Sequence, residues 1–267
     1  MSYSLFVVVP TLDSFELLPR LCSSLQEQTW SGWSVLFVDG PSSARHREWL
    51  NRFCLSDSRF SWTPQDPEFP GIFGAMNQGF AASERLSVDW LLFWGSDDWA
   101  ASSSVLEDVF SGLQRSRSKS ISPDLIVCRG RYVNSVDKSL KRPTVFCSGC
   151  WLDSSAYRRA LWFGATPPHQ STFFGVGARR RLANYAPGFR LSADLDYFLQ
   201  LGRQDLSVLC LDLELVQMAD GGISGQQTQR RLQEVCRAYR RVYGWRWWFP
   251  FIARYVRRLV SLVPAFG

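Results

Sequence analysis

Three apolar runs constrain this chain more than any other feature: Phe6–Val9, Val35–Val38 and Trp90–Trp94. Helix-length stretches separate them, beginning with Glu16–Gln28. That alternation predicts parallel strands joined by helical crossovers. Strands covered by helices on both faces have no wet side, so they read as continuous apolar runs instead of alternating ones. Leu17, Leu18, Leu21 and Leu25 give the first helix one apolar face, with Asp13 or Ser14 as its expected cap.

Open sheets of this kind bind ligands beyond the carboxyl ends of their strands. Here those ends read Pro10-Thr11, Asp39-Gly40 and Gly95-Ser96-Asp97-Asp98, three polar segments expected along one edge. Asp97 and Asp98 are presented side by side, and Gly95 lets backbone approach closely. Adjacent carboxylates suit Mg²⁺ or Mn²⁺, which take a few protein oxygens and complete their shells with water and phosphate. Asp is also favoured at helix N-caps, so the dipeptide alone leaves a cap as the alternative. Asp39 is expected as a buried acceptor for a nucleobase or ribose, and Thr11 as a hydroxyl at the neighbouring strand end.

The second half holds an apolar run at Leu125–Cys128, a turn at Thr166-Pro167-Pro168, Arg179–Arg181, and Leu191–Tyr197 opening a helix. A further apolar run at Val208–Leu213 precedes Gly221-Gly222-Ile223-Ser224 and a charged helix from about Gln227 to Tyr243. Gln114–Ser122, rich in Ser, Arg and Lys, is expected to be an exposed loop between the two halves. The seven cysteines follow no regular spacing, which fits a reducing compartment. Cys147-Ser148-Gly149-Cys150 is a single C-x-x-C, the pattern of half a zinc site or a redox pair, but no second pair accompanies it and no βαβ start surrounds it, so the expectation is two unrelated thiols near a loop.

These stretches, taken together, resemble the family 2 glycosyltransferases, inverting enzymes of the GT-A fold, and especially bacterial members that build extracellular or surface polysaccharides. The matching residues are Val7–Asp13, Val38–Ser43, Gly71–Gly79 with its Gly-Ile-Phe-Gly-Ala-Met-Asn-Gln-Gly, Gly95–Asp98, His169-Gln170, Ser192–Asp196 and Gly221–Ser224. The resemblance implies an α/β fold: a GT-A-like, Rossmann-type, mostly parallel sheet flanked by helices. It implies that Pro10, Thr11 and Asp39 hold the nucleoside, that Asn77 lies near the ribose or sugar, and that Asp98, with Asp97, serves a metal-bound diphosphate. His169 and Gln170 are expected beneath the acceptor or pyrophosphate. Asp194 is the expected catalytic base, chosen over Asp196 because residues two apart on a helix point in different directions. The expected cofactor is Mn²⁺ or Mg²⁺; the expected donor is a nucleotide diphosphate sugar, a UDP-sugar first; the expected acceptor is a glycan or lipid-linked hydroxyl. Two departures bear on the donor: Ala44 and Gly74 stand where the family often has Asp, leaving Asp66 or Glu68 as substitutes.

The expected organisation is a transferase domain over residues 1–243, with a nucleotide half at 1–113 and an acceptor half at 123–243, then a tail over 244–267. In the tail, Phe251, Ile252, Tyr255, Val256, Leu259, Val260 and Val263 recur at helical spacing opposite Arg254, Arg257, Arg258 and Ser261. Three tryptophans precede them, and the segment 245–263 is expected to lie on an anionic membrane surface; covering the protein's own core is the alternative. No window reaches the roughly 18 uncharged apolar residues that span a bilayer. The first residues read as a buried strand and not as a signal peptide, so a cytoplasmic protein, peripheral at the inner membrane face, is the expectation. Two rival functions stand beside this one. A nucleotidyltransferase usually has a Gly-rich basic loop where this chain has Thr11-Leu12-Asp13-Ser14, and a non-catalytic nucleotide-sugar or membrane-binding protein would not need Asp98 or Asp194. Nucleic acid is not an expected partner, since the arginines cluster in the tail instead of interleaving with aromatics along a sheet.

Overall fold

A computed structural model describes residues 3–116, 122–134, 137, 139–220 and 227–262. The three apolar runs become β1 (Leu5–Thr11), β2 (Trp33–Asp39) and β4 (Trp90–Phe93), and β3 (Phe60–Pro64) joins them at the edge. Helices α1 (Leu18–Gln26), α2 (Ala44–Ser56) and α3 (Ile72–Arg85) form the crossovers. All four strands run parallel in the order β3-β2-β1-β4. Their side chains alternate between two cores: Phe6 and Val8 pack with α3, while Leu5, Val7 and Val9 pack with α1. Burial on both faces is the physical reason these strands carry no polar alternation.

Past β4 the sheet becomes mixed. β9 (Thr172–Gly175) is antiparallel to both β4 and β6 (Leu125–Val133), and β10 (Val208–Ala219) runs parallel to β6. β5 (Asp98–Ala100) and β8 (Cys150–Leu152) pair antiparallel with β10, and β7 (Leu140–Thr144) pairs with β6. Strands from both halves of the sequence therefore share one sheet. Gln114 and Arg115 complete α4 (Val105–Arg115), so the expected loop begins later than predicted; residues 117–121 lie outside the described ones. The remaining helices are α5 (Ser154–Trp162), α6 (Val176–Arg181), α7 (Ala193–Leu201), α8 (Thr228–Tyr243) and α9 (Trp248–Leu262).

Two local expectations need correction. Neither Asp13 nor Ser14 caps α1 with its side chain; the helix starts at Leu18 with Pro19 in its first turn. Asp13 instead takes a left-handed backbone, φ 47°, and its Oδ1 accepts from both the backbone amide and the hydroxyl of Ser43. These bonds hold the Asp13 carboxyl below the usual carboxylate range and tie the loop after β1 to the loop after β2. In the tail, the predicted single apolar face is divided. Phe251 and Tyr255 pack on the protein's own core, whereas Ile252, Val256 and Leu259 are exposed. Arg254 also turns inward, donating to Thr166 Oγ1 at 2.6 Å. Gly164 permits this docking, because a Cβ there would lie 2.2 Å from the Arg254 backbone nitrogen. Val263 lies outside the described residues.

Candidate active site

At the carboxyl edge, register brings Thr11 opposite Asp39, and Asp39 opposite Pro64. Asp39 is 1 % exposed and fully engaged: Oδ1 accepts from Thr11 Oγ1 at 3.0 Å and Ser42 Oγ at 2.6 Å, and Arg47 Nε donates to Oδ2 at 3.3 Å. His46 Nε2 lies 3.1 Å from Oδ1. Asp39 thus organises the floor of this edge through its neighbours. His46 and Arg47 were not legible in the sequence, because they reach Asp39 only after α2 folds back over the strand end. Pro10 is half-buried beside this group, paired in register with Val38.

The chain leaves β4 through Trp94 and Gly95 and turns so that Asp98 begins β5. The Gly95 amide donates to Asp98 Oδ2 at 2.6 Å. A Cβ built on Gly95 would sit 2.8 Å from Asp97 Oδ1 and 3.3 Å from Asp98 Oδ2, so both carboxylates turn their oxygens toward this one glycine. Burial first, and then the neighbouring Asp97, holds Asp98 well above the usual carboxylate range, against the Gly95 hydrogen bond. Burial raises Asp97 too. Among the described residues, no Lys, Arg or His forms an ion pair with either one. Two adjacent, crowded carboxylates without a cation fit the needs of a divalent metal ion.

Across the sheet, Asp98, Met218 and Tyr132 are successive register partners on β5, β10 and β6. Burial pushes the Tyr132 phenol up, and the negative charges of Asp98 and Asp194 push it further, while Arg231 and Arg258 oppose them. Asp98 and Asp194 therefore both lie within electrostatic reach of Tyr132. Asp194 lies half-buried in the first turn of α7, and its carboxylate makes no hydrogen bond or ion pair among the described residues. Asp196 differs: it is 1 % exposed and is held by Arg241 of α8 at 2.7 Å.

What fixes Asp194 is Glu234 of α8, another residue the sequence did not reveal. Its carboxylate accepts from the backbone amides of Arg190, Leu191 and Ser192 at 3.0, 2.8 and 2.9 Å, gripping the chain just before α7. Glu234→Ala orphans three amides at a helix entry, each a loss of about 1–3 kcal/mol if left dry. We expect a clear fall in melting temperature and a drop in turnover larger than any change in donor affinity, measured by thermal denaturation alongside steady-state kinetics.

Asn77 and His169 act at one remove. Asn77 Nδ2 donates to the Tyr185 carbonyl at 3.1 Å and its Oδ1 accepts from the Tyr185 amide at 2.7 Å, so Asn77 clamps the 185 segment to α3. One donor hydrogen and one acceptor lone pair of its amide remain for a ligand. His169 is buried, its Nε2 lies 2.5 Å from the Tyr185 hydroxyl, and its ring stacks on Phe93 at 5.6 Å. Burial lowers its basicity, with the charge of Asp194 acting against that. The Gln170 carbonyl accepts from Trp94 Nε1 at 3.0 Å, which braces the turn leading to Asp97. Gly74 has no room for an aspartate, since a Cβ there would lie 1.8 Å from the Phe69 carbonyl oxygen. Asp66 and Glu68 are exposed, and Gln65 donates to the Phe69 and Gly71 carbonyls, fastening the loop against α3. Arg179 is spent on Ser83 Oγ and the Val88 carbonyl, and Arg181 on Asp124. Gly221–Ser224 lies outside the described residues.

A half-parallel sheet with its polar edge closed by an acidic turn and an antiparallel extension is the GT-A-like architecture of glycosyltransferases. Solved structures share it. S. aureus TarS (residues 1–349), solved in complex with UDP-GlcNAc, has a TM-score of 0.65 at 13 % identity, over 99 % of this chain and 74 % of that one. The mannosyltransferase PcManGT from Pyrobaculum calidifontis, solved with GDP-Man and Mn²⁺, has a TM-score of 0.61 at 12 % identity, over 99 % of this chain and 78 % of that one. The chain belongs to glycosyl transferase family 2, whose sequence profile matches residues 6–180. A PGL/p-HBAD biosynthesis glycosyltransferase of Mycobacterium tuberculosis is 25 % identical over 192 residues, which cover 72 % of this chain and 66 % of that protein's length.

Proposed function

We propose that this glycosyltransferase moves a sugar, with inversion, from a nucleotide diphosphate donor to a hydroxyl of a glycan or lipid-linked acceptor. One observation carries the reading: an acid pair, Asp97-Asp98, with no cationic partner among the described residues, and Asp194, whose carboxylate makes no hydrogen bond or ion pair among them, both act with their negative charges on the Tyr132 phenol. Asp98, with Asp97, would hold Mn²⁺ or Mg²⁺; such an ion, when bound, neutralises charge on a departing diphosphate. Asp194 takes the proton from the acceptor hydroxyl as its oxygen attacks the anomeric carbon. Thr11, Ser42, Asp39 and Arg47 shape the nucleoside edge, while His169 holds Tyr185 and Gln170 braces the turn before Asp97. The structures in complex with UDP-GlcNAc or GDP-Man with Mn²⁺ support a nucleotide-sugar donor, and we take a UDP-sugar as the first candidate.

The test is a panel of nucleotide sugars, each with and without Mn²⁺, followed by thermal denaturation, with the anomeric configuration of any product read by NMR. The expectation is stabilisation by one donor class, of about 2.7 kcal/mol at a hundredfold excess over Kd, and a product of inverted configuration. No donor effect, or a retained configuration, contradicts the reading.

No helix among the described residues is long and apolar enough to cross a membrane. The exposed stripe of α9, Trp248, Ile252, Val256 and Leu259, lies beside exposed Arg257, and Trp245 is 76 % exposed just before it. This supports docking on an anionic bilayer surface, where apolar burial and arginine attraction act together. Ile252→Asp is expected to abolish sedimentation with phosphatidylserine vesicles while leaving the fold intact; equal sedimentation of the variant contradicts docking through this stripe.

A further inference from the structure

The pair Cys147-Ser148-Gly149-Cys150 gains a third member in the fold. Cys150 opens β8, and Cys210 on β10 is its direct register partner in an antiparallel pair. Side chains opposite one another in such a pair share a face, with Cβ atoms about 4.5–5.5 Å apart. Gly149 has a φ of 58°, a conformation suited to glycine, and with its help the connection turns Cys147 back. Cys147 Sγ then lies 2.7 Å from Cys150 Sγ, and the three sulfurs all fall within 4.8 Å of one another. Cys210 is buried, while the other two are half-buried at the rim of the core.

We propose that Cys147, Cys150 and Cys210 form a thiolate site for a thiophilic divalent ion, with Zn²⁺ as its occupant. Zinc–sulfur bonds of about 2.3 Å set tetrahedral thiolates roughly 3.8 Å apart. The cluster meets that spacing if Cys147, which lies outside any strand, swings away from Cys150. Three thiolates leave one tetrahedral position for water or another donor. Binding replaces three S–H bonds with three Zn–S bonds, releases three protons to solvent and transfers no electrons. A redox pair fits less well. Two sulfurs suffice for a disulfide, and the third, brought in by strand pairing, would have no role. The ion would pin β8, the loop before it and the start of β10 together. The other end of β10 carries Met218, beside Asp98, so the site is set apart from the chemistry and is expected to serve stability.

Co²⁺ is the probe, because its thiolate charge-transfer absorption distinguishes sulfur ligation from binding at the carboxylate pair. The full chain, reduced and stripped with chelator, is titrated with Co²⁺. The expected result is a charge-transfer band saturating at one equivalent, bleached by Zn²⁺, kept in Asp98→Asn and Cys22→Ser, and lost in Cys147→Ser and Cys210→Ser. Cys147→Ser alters a half-buried residue outside any strand, and an unchanged melting temperature of the metal-free variant separates loss of a ligand from misfolding. Absence of the band in the wild-type chain, its survival in Cys210→Ser, or a Cys147–Cys150 disulfide that persists in reductant with Zn²⁺ present would overturn the proposal.

Discussion

Asp194→Asn is expected to lower turnover by ~10²–10⁴ while leaving donor affinity within about twofold of wild type, since general-base groups contribute on that scale. Asparagine keeps the shape of aspartate but cannot accept the proton. The side chain makes no hydrogen bond or ion pair among the described residues, so the substitution breaks no structural contact and the melting temperature should hold. Asp196→Asn provides the contrast. That carboxylate is buried against Arg241, and removing its charge weakens a fixed ion pair two residues away from Asp194. Its effect should appear first as lost stability. Equal turnover of wild type and Asp194→Asn, under conditions where chemistry limits the rate, would assign the base elsewhere.

Asp98→Asn should give two effects of opposite sign. Turnover should fall by about 10²–10³ or more, because stabilisation of a departing diphosphate is worth several kcal/mol. The metal-free protein, however, should melt higher than metal-free wild type. Asp98 is 3 % exposed and lies against Asp97, so carrying it at neutral pH costs free energy whether it stays charged or takes a proton. Asparagine removes that cost and can still accept from the Gly95 amide. Mn²⁺ should then raise the melting temperature of the wild type alone. Denaturation scans with Mn²⁺ and with chelator measure both signs; a metal-free variant less stable than wild type would mean that the acid pair is structural.

The strand ends were legible because strand burial and ligand binding leave local marks: a continuous apolar run, then glycine and acid. Register did the rest, setting Thr11 against Asp39 as the sequence order required. What could not be read locally is what arrives from a distant segment. Glu234 holds the entry to Asp194 from 40 residues or more along the chain, Arg241 occupies Asp196, and His46 and Arg47 fold back onto Asp39. Asp13 had the composition of a helix cap, but Ser43 competes for the same carboxylate. The tail's periodicity was visible, but periodicity does not say which apolar side chains meet the core, and α9 divides them between core and surface. The thiol cluster was hidden in the same way, since Cys210 reaches Cys150 only through strand pairing.

The most direct test of the central claim is calorimetric titration of the selected nucleotide sugar into wild type, Asp98→Asn and Asp194→Asn, each with Mn²⁺ and with chelator. Wild type and Asp194→Asn should bind alike and depend on Mn²⁺, whereas Asp98→Asn should bind weakly and without regard to the metal. Binding by Asp98→Asn that matches wild type in both affinity and Mn²⁺ dependence would contradict the assignment of the acid pair to the donor diphosphate.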